Sequence, residues 1–263
     1  MKQYIAAFNA YYESVNHIHQ IIDAFNSDYQ LPFSDTAQYG FIVKPAQFSK
    51  TMLTPNFYRE DVRETINYVV ANVKTTELDA EGIKKGDEIG SAFYQDEGVP
   101  FIKTSDIMNY DIDHEPDCYC SESFLAQLEQ EIKLGDVLFA KDGKPGEVAF
   151  VQEDVRAVIS SGIVKYHPRT KDEGYWVFLL LASRYGDAHF KKWFVIASTM
   201  LHLRADFFSD FKIPAITDEI SKSYIRPLEE AFKKKTMAYK TMVNIKNLVE
   251  DSYTNETAKL SLT

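Results

Sequence analysis

The feature that most constrains the fold is a change of hydrophobic period near residue 217. Between residues 76 and 216, apolar residues occur in short runs typical of β-strands, such as "DVLFAKD" and "EVAFVQE", and turn residues separate the runs. From residue 217 to about residue 253 the apolar positions recur at steps of three and four, which indicates a helix. The sequence therefore predicts an α+β fold, with a mixed twisted sheet followed by one long helix.

Helical patterns also precede and interrupt the strand region. One apolar face covers residues 4 to 25, and a second helical pattern starts near Asn56. Within the strand region, "SESFLAQLEQEI", with Ser121 or Ser123 as its cap, and "YWVFLLLASRYGDAHFKKWF" predict two helices. The predicted divisions are an N-terminal helix and linker over 1–43, the main domain over 44–216, and a long helix with a tail over 217–263.

The long helix has one apolar seam, which Lys235 interrupts. About 35 helical residues extend about 50 Å, which is longer than a domain of this size needs. We therefore expect the helix to project or to pair with another helix. The predicted pairing residues are Ile225, Leu228, Phe232, Tyr239, Met242, Ile245 and Val249.

The charge distribution restricts where a polyanion could bind. The 263 residues carry a net charge of −10, which argues against a generally basic DNA-binding surface. Residues 191–216, however, hold four basic residues against two acidic ones, so a DNA-binding face would have to be local. No stretch reaches the roughly 18 apolar residues of a membrane span and no secretory signal is evident, so we predict a cytoplasmic protein without membrane contact.

The sequence offers little support for an enzyme. "GKPGE" within "LFAKDGKPGEVAFV" lacks the spacing and the following helix of a phosphate-binding loop, and it predicts a β-hairpin instead. No G-x-S-x-G elbow and no "NPPY"-like methyltransferase segment is present. Asp117, Glu131 and Lys133 follow the order of a metal-dependent nuclease motif, but Glu131 is expected at the end of a helix rather than on a strand.

A metal site is not predicted either. His114, Cys118 and Cys120 form a sparse cluster without the second ligand pair of a structural zinc site, and the solvent edge is the expected alternative. The two cysteines are too close in an extended segment for an ordinary disulfide, which suits a reducing compartment. We therefore predict a chain without catalytic residues, metal or cofactor.

Polar groups in the turns favour nucleic-acid binding. Lysines in the hairpin turn and hydroxyl groups beside the strands are the groups that hold phosphates and contact base edges. The alternative from the residues alone is that these lysines are solvated turn residues and that Trp193 belongs to the core.

The order of segments is more informative than any one of them. "GVPFIKTSDI", "LGDVLFAKDGKPGEVAFV", "AVISSGIVKYHP", a helix, "ASTMLHLRADFFSDFKIPAI" and a long terminal helix together resemble the target recognition domain of type I restriction-modification specificity (S) subunits. "MLTPNFYRED" resembles the segment that precedes such a domain. The resemblance covers about residues 50 to 250.

This resemblance implies a non-catalytic subunit that reads half of a split DNA sequence. The long helix would dock the methyltransferase subunits, whose cofactor is S-adenosylmethionine, and a restriction (motor) subunit can join them. The residues that it places near DNA are Lys103, Thr104, Ser105, Lys141, Asp142, Lys144, Ser160, Ser161, Ser198, Thr199 and His202. Lysines would hold phosphate, and the other side chains would contact base edges.

Two departures from the family leave alternatives open. Full S subunits carry two recognition domains and this sequence has one, so we expect a half-subunit that associates with itself through residues 217–253 or pairs with a different half. The acidity allows another class of protein, an interaction adaptor whose recognition domain no longer binds DNA.

Overall fold

The computed structural model describes residues 2–31, 42–50, 52–128, 130–144, 146–197 and 200–260. Its helices are α1 (Lys2–Asp28), α2 (Pro55–Tyr58), α3 (Glu60–Val70), α4 (Glu122–Leu128), α5 (Lys171–Ala182), α6 (Arg184–Trp193), α7 (Asp206–Asp210), α8 (Asp218–Ile220) and α9 (Arg226–Leu260). Its strands are β1 (Thr75–Glu77), β2 (Ile83–Lys85), β3 (Val99–Ile102), β4 (Ile107–Met108), β5 (Asp111–Ile112), β6 (Tyr119–Cys120), β7 (Val137–Ala140), β8 (Val148–Phe150), β9 (Val158–Ile159), β10 (Ile163–Tyr166), β11 (Phe194–Ala197), β12 (Met200–Leu203) and β13 (Lys212–Pro214). The predicted α+β class with a helix at each end is confirmed.

The strands form several small sheets instead of one large mixed sheet. The largest is antiparallel, with the order β2-β10-β7-β8. A second sheet, β6-β3-β9, is mixed, because β3 pairs with β6 antiparallel and with β9 parallel. Turn residues end each apolar run after two to four strand residues, which keeps the sheets small.

The hairpin predicted from "LFAKDGKPGEVAFV" is confirmed. β7 and β8 are antiparallel, with Val137 opposite Phe150 and Phe139 opposite Val148. The loop needs left-handed backbone at Gly143 (φ 75°) and at Gly146 (φ 99°), which glycine adopts without strain.

Strands β7, β8 and β10 of the four-stranded sheet are buried on both faces, whereas the edge strand β2 is not. Phe139 and Phe150 belong to the main core, which α1, α3, α5, α6 and α9 share. Leu138 and Ala149 belong to a second core beneath the mixed sheet. Side chains alternate between the faces of a strand, so one apolar run serves both cores. Residues outside 44–216 therefore contribute to the same core as the predicted main domain.

The segment predicted as one helix from "YWVFLLLASRYGDAHFKKWF" is two helices. Ser183 has extended backbone (ψ 175°) and ends α5. Its hydroxyl accepts a hydrogen bond from Tyr185 N at 3.2 Å and so caps α6. A Cβ at Gly186 would lie 2.1 Å from Leu181 O, so this tight corner requires glycine. The periodicity missed the break because apolar positions continue on both sides of it.

Helices α1 and α9 pack against each other in antiparallel orientation. Tyr224 Oη, just before α9, donates to Asp28 Oδ2 at the end of α1 (2.7 Å), while Lys235 lies over the ring of Tyr11. On α1, Val15, Ile18, Ile22 and Phe25 are buried, whereas Ile5, Phe8 and Tyr12 of the same predicted face are exposed. The apolar face of α1 thus extends beyond the part of the chain that covers it.

The predicted pairing seam of the long helix divides into two parts. Ile225, Leu228 and Phe232 are buried in the main core of this chain. Tyr239, Met242 and Ile245 are partly exposed, and Val249 is exposed. Only the second part is open to a partner, and the pairing itself stays a prediction.

Candidate nucleic-acid interface

Four segments that are distant in sequence meet at one end of the strands. They follow β3, join β7 to β8, join β9 to β10, and form β12. We name residues 103–105, 141–144, 160–162 and 201–203 the loop cluster. Backbone hydrogen bonds connect it, from Lys141 N to Gly162 O (2.8 Å), from Gly143 N to Leu201 O (3.3 Å) and from Leu203 N to Lys141 O (2.9 Å).

A close approach at Gly162 packs the cluster together. A Cβ at this position would lie 2.9 Å from Thr104 Cγ2 and 3.7 Å from Asp142 Cβ. Ser160 N also donates to Ile102 O at 2.8 Å, which joins the β9–β10 turn to the end of β3. Thr104, Asp142 and Ser160, which the family resemblance predicts to lie near DNA, are therefore neighbours on one surface.

Asp142 connects the hairpin loop to the β12 strand. Its Oδ1 lies 2.8 Å from His202 Nδ1, and its Oδ2 accepts a hydrogen bond from Lys141 Nζ. Only 16% of the Asp142 side chain is exposed. Both carboxylate oxygens are thus engaged within the protein, although the sequence suggested Asp142 for a base edge. The arrangement makes Asp142 a residue that positions Lys141 and His202.

The lysines of the cluster differ in availability. Lys141 is 18% exposed and paired with Asp142, whereas Lys144 is exposed at the tip of the loop. Lys103 is partly buried, and its backbone N–H donates to Asp106 Oδ2 at 2.8 Å. Lys144 is consequently the residue best placed to reach a phosphate.

Acidic groups near the cluster are engaged as well. Glu88 Oε2 accepts from Ser161 Oγ at 2.6 Å, and Asp106 Oδ1 accepts from Ser105 Oγ at 2.9 Å. Asp87 Oδ2 accepts from Gln130, whose own Oε1 accepts from Ile159 N at 2.7 Å. These bonds fix the surface but also occupy the hydroxyls of Ser105 and Ser161. Ser198 and Thr199, the remaining candidates, lie outside the described residues.

Sequence reasoning missed an apolar pair beside the cluster. Ile196 and Leu201 are directly opposite each other in the antiparallel β11–β12 ribbon, and they are 75% and 37% exposed. The apolar runs of the two strands do not reveal that the ribbon extends beyond the core. Gly162 was also missed, because its role depends on a contact with residue 104.

A polar network fixes the base of this ribbon. Asp210 accepts from Lys192 Nζ (2.8 Å) and from Trp193 Nε1 (2.7 Å), directly before β11. Burial would raise the pKa of Asp210, but hydrogen bonds from Lys192 and Trp193 and the nearby imidazole of His189 outweigh it and hold the pKa well below its usual range. The charged carboxylate therefore anchors α6 and the start of the ribbon.

The remaining chemical motifs concern metal binding and nuclease chemistry. Among the described residues, no group of three His, Cys, Asp or Glu side chains could hold a metal ion. Cys118 and Cys120 are buried, contrary to the solvent-edge alternative, and both are free. Helix α4 ends at Leu128, so Glu131 is not at a helix end, and its carboxylate pairs with Lys133 at 2.8 Å. Within the described part of the chain, no helix is long and apolar enough to cross a membrane.

Comparisons with known proteins found similarity only among solved structures. No protein-family model matches the chain, and no curated protein matches it. A chain in a structure of the type I R-M system is 18% identical with a TM-score of 0.45, covering 93% of this chain and 55% of that one. The HsdS subunit from Thermoanaerobacter tengcongensis is 15% identical with a TM-score of 0.45, covering 93% and 50%.

A third solved structure is the S subunit of a type I restriction-modification system from M. genitalium. It is 11% identical with a TM-score of 0.44, covering 72% of this chain and 47% of that one. This chain thus spans about half the length of the structures that it matches.

Proposed function

We propose that this chain is a non-catalytic DNA-sequence-specificity subunit of a type I restriction-modification system, and that its loop cluster reads a half-site. The observation that carries the proposal is the convergence of the cluster. Thr104, Lys141, Asp142, Ser160 and His202 come from four separate segments, and backbone hydrogen bonds and short side-chain contacts join them on one surface. Residues that serve only their own turns need not converge in this way.

The shape and chemistry of the cluster suit a DNA groove. The major groove is about 12 Å wide and admits a two-stranded β-ribbon, such as β11–β12. The ribbon contributes the imidazole of His202 and the exposed pair Ile196 and Leu201. The neighbouring loops contribute hydroxyl groups and Lys144. Phosphates would be held by Lys144 and Lys103, and base edges would be contacted by Thr104, Ser160 and His202.

The negative net charge is compatible with this role because the carboxylate inside the cluster, Asp142, is paired with Lys141. Asp87, Glu88 and Asp106 keep their charge and are held in place by hydrogen bonds from uncharged neighbours. The remaining acidic charge weakens non-specific DNA binding, which relies on phosphate contacts. Selectivity would then depend on contacts with the bases.

We assign the helical end of the chain to protein partners. The exposed apolar residues there include Ile5, Phe8 and Tyr12 on α1 and Leu248 and Val249 on α9. We propose that this end docks methyltransferase subunits, which bind S-adenosylmethionine, and pairs with a second recognition domain, either in another copy or in a different half-subunit. A restriction (motor) subunit can join the complex, which would act in the cytoplasm.

The same exposed apolar residues favour a second candidate, an interaction adaptor without DNA affinity. Selection from random duplexes distinguishes the two. The chain, purified with its methyltransferase partner, is incubated with randomised DNA at low salt, and the bound DNA is sequenced. A recurrent motif, together with a lower total amount of bound DNA in K144E but not in the control K222E before α9, supports the specificity subunit. If the complex enriches no motif, the result supports the interaction adaptor instead.

A further inference from the structure

His202 has one ring nitrogen engaged and one free for a ligand. Nδ1 lies 2.8 Å from Asp142 Oδ1, and the two nitrogens of an imidazole point in different directions, so Nε2 is directed away from Asp142. The side chain is 36% exposed. The backbone around it is fixed on both sides, since Leu203 N donates to Lys141 O and residues 142 and 202 form a β-bridge.

The hydrogen bond with Asp142 determines which nitrogen carries the proton. A carboxylate only accepts, so Nδ1 must bear the hydrogen in this contact. Lys141 already supplies a positive charge to the other oxygen of Asp142, so a neutral imidazole is sufficient to satisfy the carboxylate. In that tautomer Nε2 has a lone pair and no hydrogen, and it is an acceptor.

We infer that His202 Nε2 accepts a hydrogen bond from the exocyclic amino group of a DNA base in the major groove, and that Asp142 positions it by fixing its tautomer. The inference rests on the proposed function. Adenine N6 and cytosine N4 are the amino donors in that groove, whereas guanine and thymine present acceptors there. Position 202 would therefore favour adenine or cytosine and reject guanine and thymine.

The test uses the selection experiment with three variants of the full chain in its methyltransferase complex. H202F keeps a ring of similar size without Nε2, H202A removes the ring, and D142A removes the positioning carboxylate. We expect the wild-type motif to contain an adenine or cytosine position whose preference disappears in H202F and H202A. Affinity for the selected duplex should fall roughly 5- to 30-fold, the size of one lost hydrogen bond to an unpaired partner.

A base analogue shows whether the contact is direct. The selected duplex is prepared with purine in place of adenine, or with 2-pyrimidinone in place of cytosine, so that only the amino group is missing. Wild-type affinity should fall as much as in H202F, and H202F should lose nothing further. If the base analogue and H202F each reduce the DNA affinity further when they are combined, the direct contact is overturned.

The role of Asp142 has its own readout. Nitrogen-15 NMR of labelled histidine should show His202 as the Nδ1–H tautomer in the free wild-type chain, and D142A should shift it toward Nε2–H. D142A should also weaken the preference at the same base position as H202F. An Nε2–H tautomer in the wild-type chain would overturn the inference.

Failure of the inference is distinguishable from failure of the proposed function. If the wild-type complex enriches no motif, the proposed function fails. If it enriches a motif that H202F and H202A leave unchanged, the proposed function stands and the role of His202 is rejected. Thermal unfolding of each variant shows that it is folded, and H202F serves where H202A is destabilised.

Discussion

Lys235 Nζ on helix α9 lies 2.6 Å from Asp111 Oδ2 on strand β5, and only 1% of the lysine side chain is exposed. Burial lowers the pKa of Lys235, and Asp111 counteracts this. For Asp111, burial would raise the pKa, but Lys235 and His114 hold it below its usual range. The ion pair explains why a lysine occurs within the apolar seam of α9. It also holds α9 against the β4–β5 hairpin.

We predict that D111A destabilises the chain by about 3 to 5 kcal/mol, because it leaves a buried ammonium unpaired. The double variant D111A/K235M should recover most of the loss, since it removes both charges. Urea unfolding measures both effects, and K234M at an exposed position of the same helix should change stability by less than about 0.5 kcal/mol. Equal stability of the single and double variants would contradict this account of the pair.

The second prediction concerns the joint between α5 and α9 at low pH. Hydrogen bonds from Lys171 and Lys233, together with Arg226, lower the pKa of Glu229 to about 2. A carboxyl with a depressed folded pKa stabilises above its unfolded pKa of about 4.5, and the stabilisation is lost as pH falls toward the folded value.

E229Q should therefore cost about 1 to 2 kcal/mol at pH 7, a figure reduced for solvent screening, and only a small part of that near pH 2, where Glu229 is about half protonated. Thermal unfolding of both chains between pH 7 and pH 2 checks this. The wild type should lose more stability than E229Q as pH falls from 4.5 to 2, and 0.5 M salt should reduce the difference. Parallel curves for the two chains would be inconsistent with the depressed pKa.

A third prediction tests the packing of the loop cluster. G162A should destabilise the chain by about 1 to 3 kcal/mol, because its methyl group would lie 2.9 Å from Thr104 Cγ2. G162A/T104S removes that methyl of Thr104 and should recover most of the stability and of the DNA affinity. Urea unfolding measures the stability of both variants, and binding to a selected duplex measures their DNA affinity. Absence of recovery in the double variant would show that residues 104 and 162 are not in close contact.

The fourth prediction separates phosphate contact from base contact. K144E should weaken binding to selected and unrelated duplexes by the same factor, and it should lower the slope of log affinity against log salt by about 0.9 or more. Fluorescence anisotropy across a salt series measures both quantities. K222E is the matched charge change away from the cluster and should leave the slope unchanged. A loss confined to the selected duplex would instead assign Lys144 to a base.

The fold was predictable where local chemistry decides it. Two short apolar runs with Asp142 and Gly143 between them specify a hairpin, and the three-to-four spacing specifies α1 and α9. The break at Ser183 was not predictable, because it follows from the approach of α6 to Leu181 and not from the apolar pattern. The ion-pair partner of Lys235 could not be predicted either, since Asp111 lies 124 residues away in sequence.

The candidate site was predictable in its residue types but not in its geometry. The ordered segments marked Lys141, Asp142 and His202 separately. Asp142 contacts both Lys141 and His202 because a β-bridge joins the hairpin loop to β12, which lies 60 residues away in sequence. This bridge could not be predicted from the segments. The exposed pair Ile196 and Leu201 was missed because exposure depends on where the ribbon ends relative to the core.

Site-specific photocrosslinking tests most directly whether DNA lies against the loop cluster. The crosslinking amino acid p-benzoylphenylalanine is placed at residue 196, which is 75% exposed on the ribbon, or at residue 237, which is 70% exposed on α9. Each chain is irradiated in complex with its methyltransferase partner and a selected duplex. We predict a covalent DNA adduct at position 196 and none at position 237. Adducts at 237 alone, or at neither position with bound DNA present, would contradict the assignment of the loop cluster to DNA.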